Sequence, residues 1–541
     1  MQEIQKSSYI KGAAILAATS ILLRIIGAIY RIPLIYIIGG EGAGHWGVIH
    51  NIFMMLLALT SAGLPIAMSR LVSLAATNKD TALAKRYFSV ALPAFILIGI
   101  AAMALTYIFA DAIAALMNNT YAAPGIRVLA PAVLFGCIIS VYRGFTQGFE
   151  DMIPTAVSQI VDVIVRSAFG IVAAILLSRA LHESYILAAG ALSGITLGLG
   201  LCIPILIWYK RKIVKTLPAE TKTGELPSKR GVLAQLIKVT VPITVGLSII
   251  TIMTVINQGI VLGRLQNALG FTERGAMYEF GMYQKGLTVY NLPAAIVIPI
   301  ATAIVPAIAA ALAAKSNEEA KGIMQSSVKL VNLIAFPAGV GMIVMAHPII
   351  TALYYENAAQ PLTTHILMVL GLASILLCLQ LVTTAILQAH GHERAAMMAI
   401  PFSAVIRLIL SHYLVAIPEL GVLGSPIGTV VFFAIIVVVN FILIRVKIKE
   451  RPKFASVFLK PLFCTAIMAV VAYLTYTLAY FLGVGIVGTG RMGVSLYLAV
   501  AMLAAMIIYV ILIVMTRAIT MEDMKLVPKG EKIAEILRIK N

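Results

Sequence analysis

The sequence predicts an all-α polytopic membrane protein, and three observations carry that prediction. First, of 541 residues 61% are hydrophobic and only 12% are charged, with a mean hydropathy of +0.99. A soluble fold of that length could not bury so much apolar surface, whereas a bilayer takes roughly 20 apolar residues per helical span. Second, long apolar runs recur fourteen times, at 10–37, 46–74, 87–110, 122–147, 154–179, 185–209, 233–263, 279–311, 323–346, 364–388, 396–416, 420–444, 456–482 and 492–516. Third, most Lys and Arg fall in alternate connections, among them Lys210, Arg211, Lys212, Arg445, Lys447, Lys449 and Arg451, and only Arg179, Arg264, Arg274 and Arg491 fall in the others. That asymmetry predicts a multi-pass protein with both termini cytoplasmic.

The same asymmetry accounts for most of the net charge of +19. Attraction to anionic inner-leaflet lipid comes second. Nucleic acid is a poor partner, because no basic soluble domain is available to hold it. Lys6 and Lys11 precede the first run as they would in a signal peptide, but Arg24 interrupts the apolar stretch and no small-residue cleavage site precedes a polar region. The run is therefore expected to be a retained span.

Turn and break signals punctuate the first half of the chain. The connection GGEGAGH (39–45) reads as a hinge or turn on the outer side. In span two Pro65 breaks the helical ladder, which suits either a bending helix or a static packing kink. Between spans four and five, Glu150 and Asp151 mark a tight turn and Pro154 starts the next helix. The longest polar stretch begins at Lys210 and reads as a linker.

The expected organisation is an N-lobe over 1–209, a cytoplasmic linker over 210–232, a C-lobe over 233–447, spans thirteen and fourteen over 448–517 and a cytoplasmic tail over 518–541. The tail is amphipathic and is expected to rest on the inner surface. Gln147 and Arg166 are repeated at Gln388 and Arg407, both displaced by 241 residues, and Pro65 maps onto Pro306 by the same displacement. This register suggests two parallel six-helix lobes related by an axis along the membrane normal. Span eight holds Pro293, Pro299 and Pro306 and is expected to be broken or strongly bent.

Charge inside the spans is the most informative functional signal. Arg24, Arg31, Arg70, Arg127, Arg166, Lys285 and Arg407 lie within them, against one clear intramembrane acid, Asp162, and Glu279 at a span's outer end. A cation at membrane depth costs a few kcal/mol, so two in the first span should face something polar. A water-filled cationic cavity that receives an anionic head accounts for Arg24 and Arg31. Arg70 and Arg127 lie near span ends, where snorkelling is the competing account. Asp162 and Arg166 sit four apart on one helix face, either as a brace for the bundle or as part of transport.

Other chemistries find little support. Cys137, Cys202, Cys378 and Cys464 are scattered, and His390, His392 and Glu393 lie in one short turn, so neither a disulfide framework nor a metal site is expected. No nucleotide-binding motif is present, and no catalytic residue is assigned. The outer acids Glu41, Asp111, Glu183, Glu273, Glu356 and Glu419 are spread singly, unlike the grouped acids of a membrane glycosyltransferase or polymerase. A cation-coupled drug antiporter would need acids facing its substrate, and the interior is net positive.

The segments RIIGAIYR, GLPIAMSR and RGFTQGFEDMIPTAVSQIVDVIVR resemble the multidrug/oligosaccharidyl-lipid/polysaccharide exporter superfamily. Within it, they resemble the lipid II flippases of MurJ type and the related stage V sporulation protein B. The resemblance covers about 510 residues, and the positions around Arg143, Gln147, Met152, Pro154 and Gln159 are the more specific part. It implies a two-lobed bundle with a V-shaped central cavity, working by alternating access on an undecaprenyl-pyrophosphate-linked cell-wall precursor, beside the cell-wall synthesis machinery. Arg24 and Arg70 match the family's pyrophosphate-binding positions. Arg31 follows Arg24 by seven residues where some members space the pair by six, and Lys285 lies about a turn before the family's span-eight cation. No cofactor is implied, and the energy source would be Na+ or H+ coupling or the membrane potential.

Overall fold

The first helix cannot be straight. In α1 (Gln2–Ser61) the guanidinium carbon of Arg31 lies 4.6 Å from the ring centroid of Trp46. A continuous helix would hold these residues roughly 22 Å apart along its axis. The chain doubles back at Gly39, whose φ of 71° lies in the left-handed region that glycine enters without a Cβ penalty. The computed structural model describes residues 2–181, 183–216, 226–354, 361–449, 455–520 and 523, with the backbone alone at 2–18, 20, 21, 24, 25, 28, 455 and 456.

The rest of the described chain is helical too: α2 (Leu64–Thr77), α3 (Thr81–Ile108), α4 (Ala110–Leu116), α5 (Ala123–Gly148), α6 (Ile153–Ala180), α7 (Ser184–Thr216), α8 (Lys229–Asn267), α9 (Glu273–Tyr290), α10 (Leu292–Ala313), α11 (Asn317–Val344), α12 (Ala346–Tyr354), α13 (Pro361–Ala389), α14 (Glu393–Leu414), α15 (Gly424–Lys447), α16 (Ala455–Val487) and α17 (Arg491–Met515). Among the described residues, thirteen helical stretches are long and apolar enough to cross a membrane, against the fourteen expected. Ile29–Thr77, which contains the Gly39 turn, counts as one, and α9 is too polar to count. Helices satisfy their own backbone groups, which lipid cannot do.

The chain divides into two compact units, Met1–Gly281 and Met282–Asn541. Within the first, α5 is the central helix and packs on α1, α2, α3 and α7. The sequence reading starts a second lobe at 233, yet α8 belongs to the first unit by its contacts with α1, α2 and α3. Polar bonds explain that placement: Asn51 donates to Gln258 at 2.9 Å, and Tyr87 to Gln235 at 2.8 Å. The 210–232 linker also shrinks at both ends, since α7 runs on to Thr216 and α8 starts at Lys229. Lys210 lies over the Phe88 ring at 4.8 Å, and basic residues suit a helix C-terminus.

The expected outer turn at 39–45 is mostly helix. Its glycines serve contact instead. A Cβ on Gly44 would lie 2.1 Å from the Met277 carbonyl oxygen, and one on Gly281 only 1.8 Å from that of Gly40. The backbones of α1 and α9 therefore touch, as small residues allow where lipid gives helices no hydrophobic reason to associate. Gly281→Ala should cost about 1–3 kcal/mol through the forced separation. Thermal unfolding in nanodiscs checks this, and an unchanged midpoint would rule out the close crossing.

The prolines act unequally. Before Pro65 the helix breaks between Ser61 and Leu64, and the amide of Gly63 donates to Thr244 Oγ1 at 3.2 Å. Pro293 opens α10 just after the break at Asn291, whose side chain donates to the Leu287 carbonyl at 2.7 Å. Pro299 and Pro306 lie inside α10 without ending it.

In the second unit α13 is central, packing on α10, α11 and α15. Helices α16 and α17 pack into the second unit: Cys464, Met468 and Tyr509 share a core with Leu333 and Met345, and the Tyr509 hydroxyl donates to the Leu333 carbonyl at 2.9 Å. Their other faces are apolar and open, with Phe481 and Met492 prominent. The end of α5 and the starts of α6 and α7 recur at the end of α13 and the starts of α14 and α15 to within one residue of the 241-residue displacement. Most of the tail after 520 lies outside the described residues. Asp523, which is described, is buried and accepts from Lys329 Nζ at 2.5 Å.

Candidate functional site

In the first unit the polar side chains inside the helices gather where α1, α5, α6 and α7 meet. Asp162 and Arg166 on α6 form an ion pair through Asp162 Oδ2 and Arg166 Nη2. The pair faces α7, where a Cβ on Gly198 would come within 2.8 Å of Asp162 Oδ1, so glycine makes room for the carboxylate. One turn earlier, Ser158 Oγ accepts from Arg143 Nε at 3.0 Å, and the Ser158 carbonyl takes the Cys202 thiol at 3.0 Å. Arg143 falls within the 122–147 run but is not among the seven cations named from the sequence; it lies inside α5, half-buried.

Across from this ladder, Arg31 and His50 both lie against Trp46. The His50 ring is parallel to the indole, with 4.7 Å between centroids and 16° between planes. Cation–π contact and aromatic stacking orient both side chains. Tyr30 is buried beside them, and both Arg31 and Arg166 act electrostatically on it and on His50. Two guanidiniums, Arg143 and Arg166, thus stand near the Asp162 carboxylate, and Arg31 acts on the same Tyr30 and His50 as Arg166 does. Arg143 Nη2, Arg166 Nε and Asp162 Oδ1 are buried and have no hydrogen-bond partner among the described residues. Buried polar atoms of this kind are normally satisfied by water or a ligand. Such a site can bind an anion by charge-assisted hydrogen bonds in a low dielectric.

The other predicted positions are dispersed. The side chain of Arg24 lies outside the described residues. Arg70 is exposed on α2. Arg127 pairs with Asp111 at 2.5 Å. In the second unit Lys285 is buried, with its Nζ 5.6 Å from the Tyr354 ring centroid, and does not line an open surface. Arg407 is half-buried, 5.9 Å from the Phe432 ring. Among the described residues no group of three or more His, Cys, Asp or Glu is placed to hold a metal ion.

At the Gly39 end of the first unit, acids that are isolated in sequence converge. Arg274 on α9 binds Glu183 at 2.6 Å and Glu41 at 3.9 Å, and its guanidinium carbon lies 5.3 Å from the Tyr121 ring centroid. Hydrogen bonding to Tyr121 and the Glu183 carboxylate raise its pKa above the ordinary arginine value. Glu41 also lies 3.5 Å from His45, and Glu273 accepts from Thr120 Oγ1 at 2.9 Å. The acids therefore serve as a clasp that binds the start of α9 to α1, α5 and α7. Sequence reasoning missed Trp46, His50 and this clasp; the spacing of Trp46 and His50, four apart in a chain with two tryptophans, was the available signal.

Comparison with known proteins places this arrangement. The polysaccharide biosynthesis protein family matches residues 9–312, and the MatE family matches residues 279–413. Stage V sporulation protein B of Bacillus subtilis (strain 168) is 24% identical over 533 residues, covering 97% of this chain and 98% of that protein. Lipid II flippase MurJ of the same organism is 24% identical over 455 residues, covering 81% and 83%. The solved structure of lipid II flippase MurJ in an inward closed conformation superposes with a TM-score of 0.68 at 16% identity, covering 92% of this chain and 99% of that one. With more than half of its length matched, this chain belongs to the polysaccharide biosynthesis protein family and is a multi-pass membrane transporter, not an enzyme.

Proposed function

We propose that the chain is a flippase that moves a polyprenyl-diphosphate-linked saccharide, lipid II foremost, from the inner to the outer leaflet by alternating access. The observation that carries this reading is the excess of guanidinium over carboxylate where α1, α5 and α6 meet, with Arg143 and Arg166 beside Asp162 and Arg31 held over Trp46. A diphosphate with sugars cannot cross hydrocarbon unaided, and planar guanidiniums suit its oxygens. Arg24, Arg31, Arg70 and Lys285 are the proposed substrate contacts. Pro65, Pro293, Pro299, Pro306, Asp162, Arg166 and Arg407 are the proposed gating or structural positions. The fully named stage V sporulation protein B and lipid II flippase relatives support this class, and a lipid-linked saccharide other than lipid II is the alternative within it.

The proposed setting is a bacterial cytoplasmic membrane with both termini inside, next to the enzymes that make and use the precursor. The decisive test is depletion of the protein followed by assigning the accumulated precursor to a leaflet with an enzyme added from outside. Accumulation in the inner leaflet is expected; unchanged outer-leaflet exposure would refute the proposal. The clasp around Arg274 is the proposed outer gate. Arg274→Gln should leave the melting temperature in place, because exposed ion pairs contribute little, while changing the transport rate several-fold. An unchanged rate in a liposome flipping assay would remove the gate assignment.

A further inference from the structure

We propose that His50 is a proton-binding site linked to headgroup binding at Arg31 and Arg166, so that the diphosphate-loaded and empty forms of the transporter differ by a proton. This rests on the flippase reading above. The geometry is specific. His50 and Arg31 share the Trp46 ring, at 4.7 Å and 4.6 Å from its centroid. Buried Nδ1 of His50 has no hydrogen-bond partner among the described residues, while the ring as a whole is only partly covered. It is thus an imidazole with an unused proton acceptor beside a site for anions.

The charges around it set the direction of the linkage. Arg31 comes from its own helix and Arg166 from α6, with Asp162 offsetting part of the latter. Arg143 from α5 acts on the Asp162–Arg166 pair, and Tyr30 lies beside both arginines. From α8 comes an amide, Gln258, which bonds Asn51 and the Val48 carbonyl on either side of His50. With the site empty, an imidazolium at His50 would stand near the Arg31 and Arg166 guanidiniums, of which only the second is paired with a carboxylate, Asp162. A bound diphosphate brings at least two negative charges to the same guanidiniums and reverses the sign of the local field. Proton uptake on headgroup binding follows, and by reciprocity the affinity for the headgroup rises as pH falls.

The test is calorimetric titration of the full chain with geranyl diphosphate at pH 6.5, in two buffers of different ionisation enthalpy, which yields the protons taken up per ligand bound. Wild type is expected to take up about half a proton more than His50→Gln, the difference removing the ligand's own titration. His50→Asn is a second variant, and at pH 8, where the imidazole is neutral, all three proteins are expected to bind alike. Equal proton uptake in wild type and variants would overturn the inference while leaving the flippase reading intact. Loss of binding by both variants at pH 8 would also overturn it, because the residue would then be structural. No binding by wild type would overturn both readings.

Discussion

Asp162→Ala should destabilise the protein by about 3–5 kcal/mol, because it leaves Arg166 as an uncompensated cation packed between helices. The ion pair itself is weak grounds for stability, since desolvating two charges offsets most of their attraction. Removing one partner is different: the Arg143 guanidinium already acts on the same pair, so losing the carboxylate leaves like charges facing each other. The double variant Asp162→Ala/Arg166→Ala should recover most of the loss, with a coupling energy of about 3 kcal/mol between the two sites. Equilibrium unfolding in detergent or nanodiscs measures all four proteins. If the two losses simply add, the pair does not act as a unit and its place in the bundle is incidental.

Arg31→Ala should reduce transport of a diphosphate-linked substrate by about 100-fold or more. Charge-assisted hydrogen bonds contribute about 1.5–3 kcal/mol each, and a guanidinium can offer two to one diphosphate. Its position over Trp46 adds preorganisation, so that little rotamer freedom remains to be lost on binding. Arg31→Lys should fall between the two, retaining charge but not the planar fork. A flipping assay in liposomes with membrane insertion checked separately distinguishes these outcomes. Wild-type rates for Arg31→Ala would take this residue out of the substrate site.

The membrane class and the Asp162–Arg166 pair were legible because each depends on neighbours in sequence: on apolar runs of bilayer length, and on residues four apart on one helix face. The break at Pro293 was legible for the same reason, since proline removes a local hydrogen bond. The stack of Arg31 and His50 on Trp46 was not. It depends on the chain doubling back at Gly39, and a stretch rich in glycine reads as a loop whether its glycines bend the chain or admit another helix. The clasp was hidden for a related reason: Glu41, Glu183 and Arg274 are far apart along the chain, and only packing brings them together.

What the sequence by itself determined, then, is a helical membrane transporter with too many buried cations for its acids, because hydropathy, charge count and helical spacing are properties of short segments. What only the tertiary structure decided is which of those cations share a site. Arg31, Arg143 and Arg166 meet at one polar cluster, while Arg70 stays exposed and Lys285 is buried beneath Tyr354. Close approaches set the packing around them: Gly198 of α7 makes room for Asp162 of the neighbouring α6, and Gly44 of α1 meets Met277 of α9, a helix distant in sequence.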